Sequence, residues 1–208
     1  MKKFILTIIA LAIVTGAGLT ACRTKSDEVV TIISKGSYVN YESVEDLIHG
    51  ATDIIRVQVL DERVELINVL LPLEEYMREY IIRSTEEQYE IHTVNRLRIL
   101  EVFEGSKQIG DIIEVAQLGG FWENTDLIDP DRLEFIVGDE LVLFLVDHGV
   151  DNLPTVLVNQ SQAAYRSSVT QETIGRRNAN EKLVSVCPRN ALSLTIDDLQ
   201  QITERKLD

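Results

Sequence analysis

The sequence predicts a mainly β protein built as a small antiparallel barrel. Residues 53–68 and 89–103 alternate in part between apolar and polar side chains, which is the pattern of half-buried strands. Residues 141–146 form an uninterrupted apolar run, which is typical of a strand buried on both faces. Glycine turns separate the segments and few helical patterns intervene. Many strands with few helices favour a small antiparallel barrel.

Shorter strands are predicted between and around these long segments. Each is rich in β-branched or apolar residues and is bounded by glycine, proline or polar residues. They cover residues 29–34, 112–118, 155–158, 163–168 and 183–187.

Three helices are predicted. Ser43 is placed to cap a short N-terminal helix over residues 44–49. An inserted helix over residues 72–82 begins at a proline, and its apolar side chains recur at helical spacing. Thr195 caps a C-terminal helix over residues 196–206, whose first turn is acidic and whose last turn is basic.

The N-terminus has the layout of a secretory signal. Lys2 and Lys3 precede an apolar run over residues 4–18, and small residues follow it. The run is shorter than the ~20 residues that a permanent membrane-spanning helix needs. We therefore divide the chain into a signal peptide (1–21), a tether with a possible first strand (22–42) and a single barrel domain (43–208).

The end of this signal, Leu-Thr-Ala-Cys, resembles the lipobox of bacterial lipoproteins. The resemblance implies a diacylglyceryl group on the thiol of Cys22 and cleavage between Ala21 and Cys22. The mature protein is then expected to be extracytoplasmic, tethered to the outside of the cytoplasmic membrane or, where the host has one, to the outer membrane. Arg23 is not the aspartate that retains lipoproteins at the inner membrane of enteric bacteria. The alternatives are a non-lipidated signal and a short anchor.

Charge and cysteine content narrow the possible partners. Loss of residues 1–21 removes two lysines and no acid, so the formal charge changes from −14 to −16. This charge repels nucleic acid and anionic headgroups, so we predict no nucleic-acid partner and assign membrane affinity to the lipid. With Cys22 lipidated, Cys187 remains alone and forms no intramolecular disulfide; we expect it to pack as a small apolar side chain.

Five stretches of the chain resemble the strand framework of netrin-like domains, the class that includes the tissue inhibitors of metalloproteinases. They are residues 51–59, 89–94, 99–105, 110–115 and 138–145. The resemblance implies a five-stranded OB-like barrel flanked by helices. Those inhibitors chelate zinc through a free N-terminal cysteine and carry disulfides, whereas Cys22 would be lipidated here. Their inhibitory residues therefore have no counterpart in this chain.

The sequence carries no recognisable catalytic motif. The serine-hydrolase elbow and the glycine-rich phosphate and dinucleotide loops are missing. His49, His92 and His148 lack metal-ligand spacing, and we interpret them as scattered surface or boundary residues. We predict no enzyme activity, no metal and no cofactor.

The acidic segment 123–134 leaves one alternative open. It includes Asp126, Asp129, Asp131 and Glu134, which are oxygen ligands of the type that calcium prefers. The segment lacks the ligand spacing and central glycine of an EF-hand, so a solvated acidic loop is the expectation.

The same loop, residues 118–132, contains the candidate binding residues Phe121 and Trp122. Loops that join barrel strands commonly carry recognition, and exposed tryptophan is a favoured interface anchor. The alternative is that Trp122 plugs one end of the barrel. We predict a lipid-anchored, non-catalytic binding module for a protein, peptide or envelope polymer. A surface protease inhibitor is the second hypothesis and an envelope hydrolase the third.

Overall fold

The computed structural model describes residues 28–69, 89–149, 154–167 and 182–205. Strands dominate this part of the chain and two helices accompany them. The strands are β1 (Val30–Ile33), β2 (Asp53–Asn68), β3 (Tyr89–Glu104), β4 (Ile112–Leu118), β5 (Gly120–Trp122), β6 (Thr125–Ile128), β7 (Glu140–Val146), β8 (Thr155–Leu157), β9 (Ala164–Ser167), β10 (Lys182–Ser185) and β11 (Leu194–Thr195). The helices are α1 (Val44–Gly50) and α2 (Ile196–Arg205).

Five strands close into a barrel in the order β7–β2–β3–β4–β8, with β8 pairing back onto β7. All of these pairings are antiparallel except β4 with β8, where Val115 lies beside Thr155 in parallel register. The predicted mainly β, OB-like barrel is therefore confirmed. The barrel closes because two strands share one edge of β7. The C-terminal end of β7 pairs with β8, and its N-terminal end pairs with β9.

The barrel core follows the predicted alternation. In β2, Ile55, Val57 and Val59 are buried, while Arg56 and Gln58 between them are partly exposed. In β7 every residue from Leu141 to Leu145 is buried, as the continuous apolar run predicted. One face of β7 points into the barrel interior. Helix α1, whose Leu47 and Ile48 are buried, also contacts this strand. Both faces of β7 are thus removed from water.

The two described helices begin at the residues that the sequence predicted. The Ser43 hydroxyl accepts a hydrogen bond from the Asp46 backbone N–H at 3.1 Å and caps α1. The Thr195 hydroxyl accepts from the backbone N–H of Asp198, whose carboxylate accepts from the Thr195 N–H. This reciprocal pair is a capping box. The predicted signal peptide with Ala21 and Cys22, and the helix predicted at 72–82, lie outside the described residues.

The structure differs from the prediction in the segment 118–132. We expected a loop there, but it contains the hairpin β5–β6, which pairs with the distant strand β1. Glycines and acids make the segment look like a loop in sequence. Its strands form because main-chain partners come from elsewhere, and such pairing leaves little trace in local sequence.

Two glycines in turns beside β3 and β4 offer a matched test of the backbone. Gly105 has φ +110°, and a Cβ there would overlap Oδ1 of the buried Asp53. Gly110 has a similar φ, +94°, but a Cβ there meets nothing within 4 Å. We expect Gly105→Ala to lower the free energy of unfolding by about 2–4 kcal/mol, since backbone strain and overpacking add. Gly110→Ala should lower the free energy of unfolding through backbone strain alone.

Urea unfolding of both variants measures this difference. Equal losses for Gly105→Ala and Gly110→Ala would contradict the close approach of Gly105 to Asp53.

Candidate functional site

A small three-stranded sheet lies beside the barrel, in the order β1–β6–β5. The β5–β6 hairpin turns at Glu123, which has a positive φ of 53°, and pairs Trp122 with Thr125. Strand β1 joins the other side of β6 in parallel, with Val30 beside Thr125. The candidate residues Phe121 and Trp122 therefore lie on a strand of this sheet and not in an irregular loop.

The two faces of the small sheet have different surroundings. Residues that are paired across strands share a face, so Phe121 lies with Asp126, and Ile33 lies with Ile128. Phe121, Ile128 and Ile33 are 53%, 40% and 72% exposed, and we call this side the outer face. The opposite side carries Gly120, where a Cβ would lie 3.0 Å from the side chain of Val64 in β2. The small sheet is thus fixed to the barrel by one face only.

Trp122 lies next to Phe121 on the barrel side of the sheet. It is half-buried and is not among the buried core residues, whereas the neighbouring Phe121 is exposed. Of the two candidates, Phe121 presents the larger free apolar surface.

Strand β1 has one edge that is open in the part of the chain that the structure describes. Val30 and Ser34 donate their backbone N–H groups towards β6, to Asn124 O at 2.8 Å and Ile128 O at 3.0 Å. Since backbone groups alternate along a strand, those of Thr31 and Ile33 point away from β6. Within the described ranges no strand pairs with that edge. All four residues of β1 are exposed, and none is a proline or a charged residue of the kind that protects sheet edges.

The chain that follows β1 is tied to the barrel. The Tyr41 N–H donates to Gln162 Oε1, and Gln162 Nε2 donates back to the Tyr41 carbonyl, both at 2.9 Å. Asn159 Nδ2 donates to the Val39 carbonyl at 2.7 Å. These bonds hold the segment between β1 and α1 against residues 159–162, so the position of β1 is fixed at its C-terminal end as well as by β6.

Two acids of the segment 123–134 take part in the same attachment. Asp131 is 8% exposed and pairs with Lys35 at 3.1 Å and with Arg189. Hydrogen bonding from Lys35, followed by that from Arg189, lowers the pKa of the Asp131 carboxyl. Asp129 accepts a hydrogen bond from the Tyr38 hydroxyl at 3.2 Å, and burial raises the pKa of Tyr38 to about 12. These two carboxylates are therefore occupied by contacts within the fold.

No group of three or more histidine, cysteine, aspartate or glutamate side chains fit to hold a metal occurs in the part of the chain that the structure describes. His49 and His148 are exposed, in line with the sequence interpretation. His92 differs, because it is 8% exposed within β3 and burial lowers its pKa. Cys187 is buried, as expected of a small apolar side chain.

The outer side of the barrel sheet carries charges that are paired with each other. The two terminal nitrogens of Arg63 donate to the two carboxylate oxygens of Glu114 at 2.7 Å each, and Arg63 also contacts Glu65. These contacts raise the pKa of Arg63. Arg96 lies 3.4 Å from Asp61 on the neighbouring strand. OB-type barrels often bind oligonucleotides on this part of the sheet, but here Arg63 and Arg96 are paired with carboxylates.

Among the helices that the structure describes, none has the length and apolar content to cross a membrane.

No family model, curated protein or solved structure matches this chain. The fold defines the class of protein, a small OB-like barrel with an added three-stranded sheet.

Proposed function

We propose that the protein is a lipid-anchored, extracytoplasmic binding module without catalytic activity, and that it binds an extended segment of a partner protein. The observation that carries this proposal is the open edge of β1, an exposed strand of four β-branched residues, Val30–Ile33. The lipobox-like signal before Cys22 supports the location.

Strand addition suits the chemistry of this edge. The outward backbone groups of Thr31 and Ile33 offer hydrogen bonds to any extended chain, so they supply affinity with little dependence on sequence. The exposed side chains of Val30 and Ile32 flank the edge and select apolar partners. The strand is already ordered by β6 and by the ties to residues 159–162, so binding does not require the site itself to fold.

A non-catalytic role agrees with the polar groups that the structure describes. Several buried or half-buried acids are engaged with partners of the fold, as Asp131 is with Lys35 and Asp129 with Tyr38. A hydrolase requires carboxylates or a nucleophile and a base that converge on an open site. An inhibitor would instead present a rigid exposed loop to a protease.

Substitution of Thr31 tests the proposal. Thr31→Pro removes an outward N–H while leaving the inward bonds of Val30 and Ser34, and edge strands accept proline at such positions. We expect the amount of partner recovered by pull-down from cell envelopes with the mature protein to fall about fivefold, since one main-chain hydrogen bond worth about 1 kcal/mol is removed. Thr31→Val keeps the N–H and should retain the partner.

The comparison requires that Thr31→Pro and Thr31→Val both have melting temperatures within a few degrees of that of the original protein. Retention of the same partners by Thr31→Pro would contradict strand addition, and turnover in a panel of hydrolase substrates would contradict the non-catalytic role.

A further inference from the structure

We propose that the outer face of the small sheet, formed by Phe121, Ile128 and Ile33, rests on the surface of the lipid bilayer in which Cys22 is anchored. This inference rests on the proposed lipid anchor and adds a second contact with the membrane, made by side chains. It assigns a partner, a phospholipid surface, to a face that the strand-addition proposal leaves free.

The length of the chain before β1 brings the sheet to the membrane. Glu28, where the described structure begins, follows Cys22 by six residues. A fully extended chain spans at most about 3.3–3.6 Å per residue, so the tether reaches about 20 Å. The interfacial layer on each side of the hydrocarbon core is itself about 5–7 Å thick. The tether therefore keeps Glu28, just before β1 of the small sheet, within about 20 Å of the anchored cysteine.

The outer face has the composition of an interfacial contact. Its three large apolar side chains are 40% to 72% exposed; Ile33 and Ile128 are register partners, and Phe121, the partner of Asp126, lies diagonal to Ile128. Thr31 and Asp126 complete the face. Because the protein is strongly acidic, the contact depends on apolar insertion and not on attraction to anionic headgroups. Zwitterionic phosphatidylcholine is thus the matching surface.

The proposed membrane contact occupies the outer face of the small sheet, whereas the proposed strand addition occupies its edge. Side chains stand roughly perpendicular to a sheet, whereas the hydrogen-bonding edge lies in its plane. A bilayer against Phe121 and Ile33 therefore leaves the outward backbone groups of β1 accessible from the side. The membrane would also orient the edge, because a sheet that lies flat on the surface presents β1 parallel to it.

The sole tryptophan of the chain, Trp122, allows a site-specific test. The double variant Phe121→Trp/Trp122→Phe moves the fluorophore to the outer face. Its control, Ile109→Trp/Trp122→Phe, places the fluorophore in the turn before β4, at the opposite end of that strand from β5, where Ile109 is 70% exposed. Both full-length proteins are produced in cells with a palmitate analogue and reconstituted into phosphatidylcholine vesicles with brominated acyl chains.

We expect brominated lipid to lower the emission from position 121 by about twofold or more, because interfacial apolar side chains lie about 5–10 Å into the headgroup and acyl boundary. Emission from position 109 should not change. Added salt should leave the quenching intact.

The outcomes separate this inference from the anchor. Labelled protein that is unquenched at position 121, or quenched equally at position 109, overturns the membrane contact and leaves the anchor in place. Protein without label overturns the anchor, and this inference with it. If position 121 is unquenched and copies with Ile33→Cys cross-link to each other, a second copy of the chain covers the face and the inference is wrong.

Discussion

Cys22→Ala is expected to abolish labelling by a palmitate analogue and to release the protein from the membrane fraction. The thiol of Cys22 is the acceptor that the lipobox resemblance implies, and alanine offers no atom for thioether formation. Two acyl chains bury many methylene groups at ~0.8 kcal/mol each, so their loss removes most of the membrane affinity. Fluorography of labelled cells and fractionation of the envelope measure the two effects.

Cys187→Ser is the matched control for this experiment. Cys187 is the other cysteine of the chain and is buried just after the end of β10, so it is not exposed to a lipid-transferring enzyme. The Cys187→Ser protein should keep its label. Label that survives Cys22→Ala, or an unlabelled original protein, would show that the N-terminal signal is not a lipoprotein signal.

Phe144→Ala should destabilise the protein by about 3–5 kcal/mol, the usual cost of removing a buried phenyl ring. Phe144 is fully buried in β7, and its ring packs edge-on against that of Tyr165, with ring centroids 5.8 Å apart. The substitution removes this aromatic pair and leaves a cavity in the strand that closes the barrel. Chemical denaturation of the purified protein measures the loss.

Phe121→Ala is the control that separates the barrel core from the small sheet. Phe121 is 53% exposed, so we expect its truncation to change stability by no more than about 0.5–1 kcal/mol in detergent solution. A loss as large as that of Phe144→Ala would mean that the outer face supports folding, and Phe121 would then no longer be a candidate contact residue.

Much of the barrel was predictable because its signals are local. The alternation of Ile55, Val57 and Val59 with polar neighbours identified β2, and the apolar run in β7 identified a strand covered on both faces. Ser43 and Thr195 marked the helix starts because a capping hydroxyl acts within three residues. Each of these patterns depends on side chains that are adjacent in sequence.

The candidate site was predicted only in part. The sequence singled out Phe121 and Trp122 by residue type and turn context, but it placed them in a loop. The two residues lie in a strand because β5 pairs with β6, which in turn pairs with β1, a strand distant in sequence. The different exposure of the two side chains depends on the same pairing. The acids at 129 and 131 looked solvated, yet they are buried against Tyr38 and Lys35. A charge pattern does not reveal partners that the fold brings from far along the chain.

The sequence by itself determined the mainly β class of this protein and the starts of its described helices, since these depend on periodicity and on short motifs; the lipoprotein signal before Cys22 stays a prediction from such a motif. Only the tertiary structure decided the closure of the barrel, the parallel pairing of β1 with β6, and, among the described residues, the open edge of β1 beside an apolar outer face. The physical reason is that main-chain hydrogen bonds between strands are nearly independent of side-chain identity. Which strands pair is set by the packing of the whole chain, and the exposed surfaces are those that this packing leaves uncovered.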